Sequence, residues 1–239
     1  MTNAETKLTG TLSVVATPIG NLEDITYRAV RVLSECDYIV CEDTRVTGVL
    51  LKRYDIKTPM KRYDAHASEQ THRYIIDDMT NGQHVALVSD AGTPGVSDPG
   101  VLLTARVREA NARMPAEEQV RIEAIPGPSA VTAAVSIAGL PGNQFTFLGY
   151  APQKKGRQTF FADLAGYEHP VIFFESTHRI MKTLEALRDR PSGQKVVLAR
   201  ELTKLHEEVL VGTASEILDT LTATPVKQKG EFVLIVAPG

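Results

Sequence analysis

The sequence predicts an α/β protein of two α/β domains, the first with a parallel sheet and the second with a mixed sheet. In the first half of the chain, short apolar runs alternate with helical patterns, which is typical of parallel strands joined by right-handed crossovers. In the second half, the short interval between Ala199 and Glu207 favours an antiparallel hairpin. The pattern changes near Ile125, so we expect an N-terminal domain over residues 1–125 and a C-terminal domain over residues 126–239.

The predicted strands are apolar runs bounded by turn residues. In the first domain they cover residues 12–17, 38–41, 59–63, 84–89 and 121–125. In the second domain they cover residues 145–148, 171–175, 195–199, 207–211 and 231–236. A helix follows the first strand, with apolar residues from Ile25 to Cys36 at helical spacing and with Asp24 or Thr26 as its N-cap. Small residues predict another helix over residues 131–138.

Three of the predicted strands end in loops rich in glycine and proline, over residues 18–21, 89–100 and 126–130. In the longest of them, glycines permit positive φ and a close approach of the backbone to a ligand, and prolines stiffen the chain. Asp90 and Asp98 supply acceptors that suit hydroxyl or amino groups rather than phosphate. Because the carboxyl ends of parallel strands meet at one edge of a sheet, we expect a polar, non-anionic ligand there.

The composition is that of an ordinary globular protein, with 43% hydrophobic and 23% charged residues in 239. No apolar run approaches the roughly 20 residues that span a bilayer. The polar N-terminus lacks the apolar core of a signal peptide, so we expect a cytoplasmic protein without a membrane segment. Cys36 and Cys41 form no Cys-x-x-Cys pair, and the histidines have no metal-binding spacing. Buried thiols and no metal site are therefore expected.

Charge and motifs narrow the function further. A net charge of −3 argues against a surface that coats nucleic acid, but it allows local basic patches. The sequence lacks the glycine motifs of dinucleotide-binding and P-loop proteins and the nucleophile elbow of serine hydrolases, which disfavours those three classes. Basic residues cluster in two places, each a solvated loop or a patch for an anionic partner: Lys52, Arg53, Lys57, Lys61 and Arg62, then Lys154, Lys155 and Arg157.

Seven segments together carry a resemblance to a known family. They are TPIGNLEDIT at residues 17–26, CEDTR at 41–45, VSDAGTP at 88–94, PGPSA at 126–130, FESTHR at 174–179, ARELTK at 199–204 and KGE at 229–231. This set resembles the ribosomal small subunit methyltransferase I family, within the tetrapyrrole methylase fold, in order from about Leu12 to Val236. The resemblance implies S-adenosylmethionine-dependent methylation of a cytidine ribose 2′-hydroxyl in the decoding region of 16S rRNA, in the small ribosomal subunit. It also implies a homodimer.

The resemblance further implies where S-adenosylmethionine binds, in a cleft between the two domains and largely against backbone. Pro18 would line the site, and the 89–93 loop would receive the ribose and methionine parts. The residues carried over from the fold are Pro18, Ser89, Asp90, Thr93, Ser129, Ala130, Glu175 and Leu202. Of these side chains, Asp90 is the one expected to contribute most.

Candidate catalytic and RNA-binding residues also follow predicted strand ends. The catalytic candidates are Glu42, Asp43, Arg45 and His66, although Asp43 or Thr44 could equally cap a helix with Arg45 as its ion-pair partner. The candidates for RNA binding are Arg45, Lys154, Lys155, Arg157, His178 and Arg179. Glu201 and Lys204 could pair with each other. Because positioning alone can supply most of the rate enhancement for methyl transfer, a strong general base is not required.

Two other functions remain open on the sequence alone. Proteins of this fold also methylate corrin-type macrocycles, other tetrapyrroles and diphthamide precursors, and a noncatalytic ribosome-assembly factor would bind RNA without chemistry. The basic residues near the motifs at 41–45 and 174–179 favour RNA over a macrocycle. Similar proteins usually continue into a basic helical tail, whereas this sequence ends at Gly239. If that tail aids RNA docking, we expect this chain to use other surfaces or to bind RNA more weakly.

Overall fold

The structure is a computed structural model that describes residues 9–98, 100–189 and 194–238. The chain divides into two compact units, Met1–Ser129 and Ala130–Gly239. Each unit contains a five-stranded sheet, and strands alternate with helices along the chain. The predicted α/β class, with a parallel sheet followed by a mixed sheet, is confirmed.

The sheet of the first unit is parallel throughout and has the order β3-β2-β4-β1-β5. Its strands are β1 Thr11–Val15, β2 Tyr38–Cys41, β3 Met60–Arg62, β4 His84–Val88 and β5 Arg121–Ile125. The longer helices between them are α1 Tyr27–Glu35, α2 Thr44–Arg53, α3 Glu69–Thr80 and α4 Gly100–Asn111. With all strands parallel, the five carboxyl ends lie at one edge, where the loops rich in glycine and proline begin.

Alternation along the strands builds a core on each face of this sheet. Ile39 of β2 packs in one apolar cluster with Leu33 of α1, whereas its neighbour Val40 packs in the other with Ile75 of α3 and Leu103 of α4. Successive strand residues point to opposite faces, so two adjacent apolar residues require two cores. The sheet is therefore covered by helices on both sides, as its continuous apolar strands require.

The second unit has a mixed sheet of order β6-β7-β10-β8-β9, in which β6 and β7 are parallel and the other pairs antiparallel. The strands are β6 Thr146–Tyr150, β7 Val171–Ser176, β8 Lys195–Arg200, β9 Glu208–Thr213 and β10 Glu231–Val236. The helices are α5 Ala130–Ile137, α6 Arg157–Asp163, α7 Ile180–Arg188 and α8 Ala214–Ala223. The predicted antiparallel hairpin is the β8–β9 pair.

Two local predictions, a helix cap and the buried thiols, are confirmed. Thr26 rather than Asp24 caps α1, because its hydroxyl accepts a hydrogen bond from Ala29 N at 3.1 Å. Cys36 and Cys41 are buried free thiols, and burial raises the pKa of the Cys36 thiol to about 11. Within the described ranges, no helix is both long and apolar enough to cross a membrane. The first strand ends two residues earlier than predicted, at Val15, for a reason that lies in the site.

Candidate functional site

The loops that follow β1 and β4 are locked to each other at the carboxyl edge of the first sheet. Thr17 N donates to Gly92 O at 2.9 Å, and Gly92 N donates to Thr17 O at 3.1 Å. The Thr17 hydroxyl donates to Ser89 O at 3.1 Å, and the Ser89 hydroxyl donates to Gly92 O at 3.0 Å. Both side chains are buried, so these acceptors satisfy groups that water cannot reach. Thr17 therefore leaves the strand ladder to bridge two loops.

The loop after β5 packs against this pair of loops. The Thr93 hydroxyl donates to Pro128 O at 3.0 Å. A Cβ atom on Gly127 would lie 3.0 Å from the Cβ of Ala16. Gly92 has a φ of +82°, which favours glycine, and a Cβ there would meet Ile19 Cγ2 at 3.3 Å. The glycines are thus explained in part by close approach of the three loops to one another.

Carboxylates surround this edge. Asp90 is exposed, and its Oδ1 accepts a hydrogen bond from Asp43 N at 3.1 Å. Burial raises the pKa of the Glu42 carboxyl, and repulsion from Asp90, Asp98 and Asp64 raises it further. Such an edge attracts cationic or hydrogen-bond-donating ligands and repels phosphate. The Asp98 carboxylate accepts from Gly95 N at 2.8 Å and from Gly100 N at 2.6 Å, so it shapes the loop.

Asp43 and Arg45 occupy the structural positions that the sequence left open. Asp43 caps α2 by accepting from Arg45 N at 2.8 Å, and its carboxylate pairs with the Arg45 guanidinium at 2.6 Å. This hydrogen-bonded pair holds the pKa of the Asp43 carboxyl at about 2. The other two catalytic candidates, Glu42 and His66, neither cap α2 nor belong to this ion pair, and His66 is exposed beyond the end of β3. Arg45 still presents its side chain, which is 90% exposed.

In the second unit, three of the predicted site residues form one buried ionic network. The Glu175 side chain is fully buried and pairs with Arg179 Nε at 2.8 Å and with Arg157 Nη1 at 3.5 Å. Both arginine side chains are only 18% exposed. The polar atoms of these three side chains pair with one another within the unit, and the cofactor contact of Glu175 and the RNA contacts of Arg157 and Arg179 stay predictions.

The other predicted site residues differ in their exposure to solvent. Lys154, Lys155 and His178 are exposed, and a surface cleft of about 620 Å³ beside Lys154 has Phe161 among its lining residues. Among the remaining cofactor-site predictions, Pro18 and Leu202 are buried, whereas Ser129 and Ala130 are half-buried, with Ala130 opening α5.

The turn that contains Leu202 has a strained backbone that the sequence did not reveal. Glu201 and Thr203 have φ of +52° and +65°, a region that a β-branched residue such as Thr203 rarely adopts. The predicted pair of Glu201 and Lys204 is confirmed, at 3.0 Å, and Glu201 Oε1 also accepts from Glu231 N at 2.9 Å. The ARELTK segment marked this turn only through its resemblance to the family, because no residue type in the sequence indicates a positive φ when glycine is absent.

Comparison with known proteins shows that the chain is similar to methylases of the tetrapyrrole class. Residues 11–218 match the family model of tetrapyrrole (corrin/porphyrin) methylases. A crystal structure of the methyltransferase CobJ is similar with a TM-score of 0.68 at 21% identity, over 97% of this chain and 95% of that one. A uroporphyrin-III C-methyltransferase from Thermus thermophilus, complexed with S-adenosylhomocysteine, is similar with a TM-score of 0.61 at 16% identity, over 95% and 97%. These likenesses show the tetrapyrrole methylase fold.

Curated relatives then give the family. Ribosomal RNA small subunit methyltransferase I of Neisseria meningitidis serogroup B is 44% identical over 230 residues, which are 96% of this chain and 76% of that protein. The protein of the same name from Thermotoga maritima is 39% identical over 228 residues, 95% of this chain and 98% of that protein. The chain therefore belongs to the ribosomal RNA small subunit methyltransferase I family, as its motifs indicated.

Proposed function

We propose that this protein transfers a methyl group from S-adenosylmethionine to a cytidine ribose 2′-hydroxyl of 16S rRNA in the small ribosomal subunit. The observation that carries the proposal is the 44% identity over 96% of the chain with a relative named ribosomal RNA small subunit methyltransferase I. Fold alone would not suffice, because methylases of other substrates share it. The cytoplasm, where ribosomal subunits lie, is the corresponding location.

The residues at the carboxyl edge of the first sheet fit S-adenosylmethionine. This molecule carries a positive sulfonium, a positive amino group and ribose hydroxyls, and it has no phosphate. Asp90 offers an exposed acceptor, and Glu42, Asp64 and Asp98 add negative potential around it. Pro18, Ser89 and Thr93 belong to the interlocked loops, which offer backbone groups in a fixed arrangement.

The other carried-over contacts come from Ser129, the last residue of the first unit, and from Ala130, Leu202 and the backbone of Glu175 in the second unit. When bound, S-adenosylmethionine supplies an electrophilic methyl group. Fixed loops hold reactants in line, and such positioning can supply about 7–11 kcal/mol of the barrier reduction. The rigid hydrogen-bonded bridge between Thr17 and Gly92 serves this purpose.

Glu42 is the group we assign as proton acceptor for the ribose hydroxyl. Its partly buried position among other carboxylates raises its pKa, which makes its carboxylate a stronger base. A positioned base typically contributes about 10²–10⁴ in rate. His66 is the second candidate, since it is exposed beyond the neighbouring strand and its backbone N–H donates to Asp64.

RNA docking is assigned to Lys154 and Lys155, supported by exposed His178 and Arg45. In the first unit, three of the five residues of the basic cluster pair with carboxylates, as Lys57–Asp55, Lys61–Asp78 and Arg62–Asp64. Arg45, outside that cluster, pairs with Asp43 and keeps a side chain that is 90% exposed. Lys154 and Lys155 have no ion-pair partner within the described part of the chain, and both are exposed. Unpaired lysines are the groups that release counterions when they meet phosphate.

We further propose a homodimer, since two-fold dimers are the commonest oligomers.

The decisive experiment is transfer of a labelled methyl group to purified small ribosomal subunits, free 16S rRNA, a tetrapyrrole and a diphthamide-precursor protein in parallel. Label on the 2′-oxygen of a cytidine in RNA supports the proposal. Label on the macrocycle or the protein alone would replace it with one of the alternative substrates. Absence of transfer, together with no S-adenosylmethionine binding in calorimetry, would favour a noncatalytic RNA-binding factor.

A further inference from the structure

Glu175 is a fully buried carboxylate with a complete set of partners. Its Oε1 accepts from Ser176 N at 2.8 Å and pairs with Arg179 Nε at 2.8 Å. Its Oε2 accepts from the Thr183 hydroxyl at 2.6 Å and lies 3.5 Å from Arg157 Nη1. A buried charge is tolerated only when it is paired and hydrogen-bonded, so this network has one well-defined arrangement.

The two arginines extend the network to one segment of backbone. Arg179 Nη1 donates to Ala151 O at 2.8 Å, and Arg157 Nη1 donates to Pro152 O at 3.0 Å. These are adjacent carbonyls at the start of the 151–156 segment, which links β6 to α6. Arg157 Nη2 also donates to the buried Thr183 hydroxyl at 2.7 Å, which ties the segment to α7. Two guanidinium groups from different elements thus hold the same short stretch.

The segment held in this way contains Lys154 and Lys155, which project from it into solvent. Its further backbone bonds include Ala151 N to Phe174 O at 3.3 Å and Arg157 N to Lys154 O at 3.2 Å, the second being a local turn. The contacts from the arginines are therefore a major part of what fixes its path. A fixed path lowers the ordering cost when two lysines meet a rigid array of phosphates.

We infer that Glu175, Thr183, Arg157 and Arg179 are positioning residues for RNA docking: they hold the 151–156 segment so that Lys154 and Lys155 meet RNA phosphates together. This inference rests on the proposed RNA substrate and names the part of the chain that orients its docking surface. It gives the charges of the network a purpose other than contact with RNA or cofactor, since their polar atoms face one another.

The test uses Thr183→Val and Thr183→Ser in the full chain. Valine keeps the shape and β-branching of threonine but removes the hydroxyl that joins Arg157 to Glu175, and serine retains that hydroxyl. For Thr183→Val we expect faster hydrogen exchange at the amides of residues 151–157, with β10 unchanged. We also expect the KM for small subunits to rise about tenfold, or about 1.4 kcal/mol of docking free energy, with kcat and S-adenosylmethionine affinity unchanged. Thr183→Ser should keep both the hydrogen-exchange rates and the KM for small subunits at the values of the parent protein.

A second background separates this inference from the docking proposal. When Lys154 and Lys155 are both changed to alanine, Thr183→Val should raise the KM no further, because the groups it positions are gone. If the double lysine variant binds subunits as the parent does, the docking proposal fails and this inference fails with it. If the lysine variant binds weakly but Thr183→Val alters neither exchange nor KM, only the positioning role is refuted. A uniform loss of stability without a change in KM would likewise refute it.

Discussion

Replacing Gly92 by alanine, with Gly95→Ala as the matched control, tests how tightly the loops at the sheet edge are packed. Both glycines lie in the same loop with similar positive φ, +82° and +89°. A side chain in this left-handed region costs about 1–2 kcal/mol. Nothing lies within 4 Å of a Cβ added at Gly95, whereas a Cβ at Gly92 meets Ile19 Cγ2 at 3.3 Å. Overpacking of this kind adds about 1–3 kcal/mol.

We therefore expect Gly95→Ala to lower the free energy of unfolding by about 1–2 kcal/mol and Gly92→Ala by about 2–5 kcal/mol. Because Gly92 also carries the two-bond bridge to Thr17, its variant should weaken S-adenosylmethionine binding by about tenfold or more. The control should bind within about twofold of the parent. Urea unfolding measures the first quantity, and titration calorimetry measures the second.

Equal losses of stability in the two variants would show that Ile19 moves aside freely and that the packing argument is wrong. A folded Gly92→Ala protein with unchanged cofactor affinity would separate the interlocked loops from the cofactor site. Either result would require another explanation for the glycine in this loop.

Five further measurements test the remaining assignments. Asp90→Ala should weaken S-adenosylmethionine binding in calorimetry by about 1–3 kcal/mol with little loss of thermal stability; unchanged affinity would contradict its role as acceptor. Glu42→Gln should lower the methyl-transfer rate by about 10²–10⁴, and parental activity would exclude it as the base. The same variant should melt at a higher temperature at about pH 7.5 but not at about pH 4: the folded state binds this proton more tightly than the unfolded chain, so the destabilisation by Glu42 grows as pH rises from its unfolded pKa and is complete above its raised folded pKa. Changing Lys154 and Lys155 to alanine should reduce the salt dependence of subunit binding by about 0.7–0.9 per lost phosphate contact, with cofactor affinity unchanged; an unaltered slope would place docking elsewhere. Sedimentation should show a homodimer, and a 26.1 kDa species alone at micromolar concentration would contradict that proposal.

The class of fold, most strand positions and the family were readable from local signals in the sequence. Strands 38–41, 121–125 and 231–236 have the predicted bounds, because apolar runs flanked by polar and turn residues are local signals. The cap at Thr26 was readable for the same reason, since a hydroxyl and the N–H three residues later are neighbours in the chain. The segments from residue 17 to residue 231 identified the family without any knowledge of contacts.

Contacts between residues distant in sequence decide which polar side chains are available to a ligand and which already pair within the protein. Thr17 reads as the end of a strand, but it bonds to Gly92, a residue 75 positions away, so its strand ends at Val15. Glu175 and Arg157 have charges that suit a cofactor and RNA, yet packing of α6 and α7 on the sheet buries them against each other. The residue type fixes which hydrogen bonds a side chain is able to make. The partner is chosen by elements distant in sequence, and burial then makes that choice obligatory.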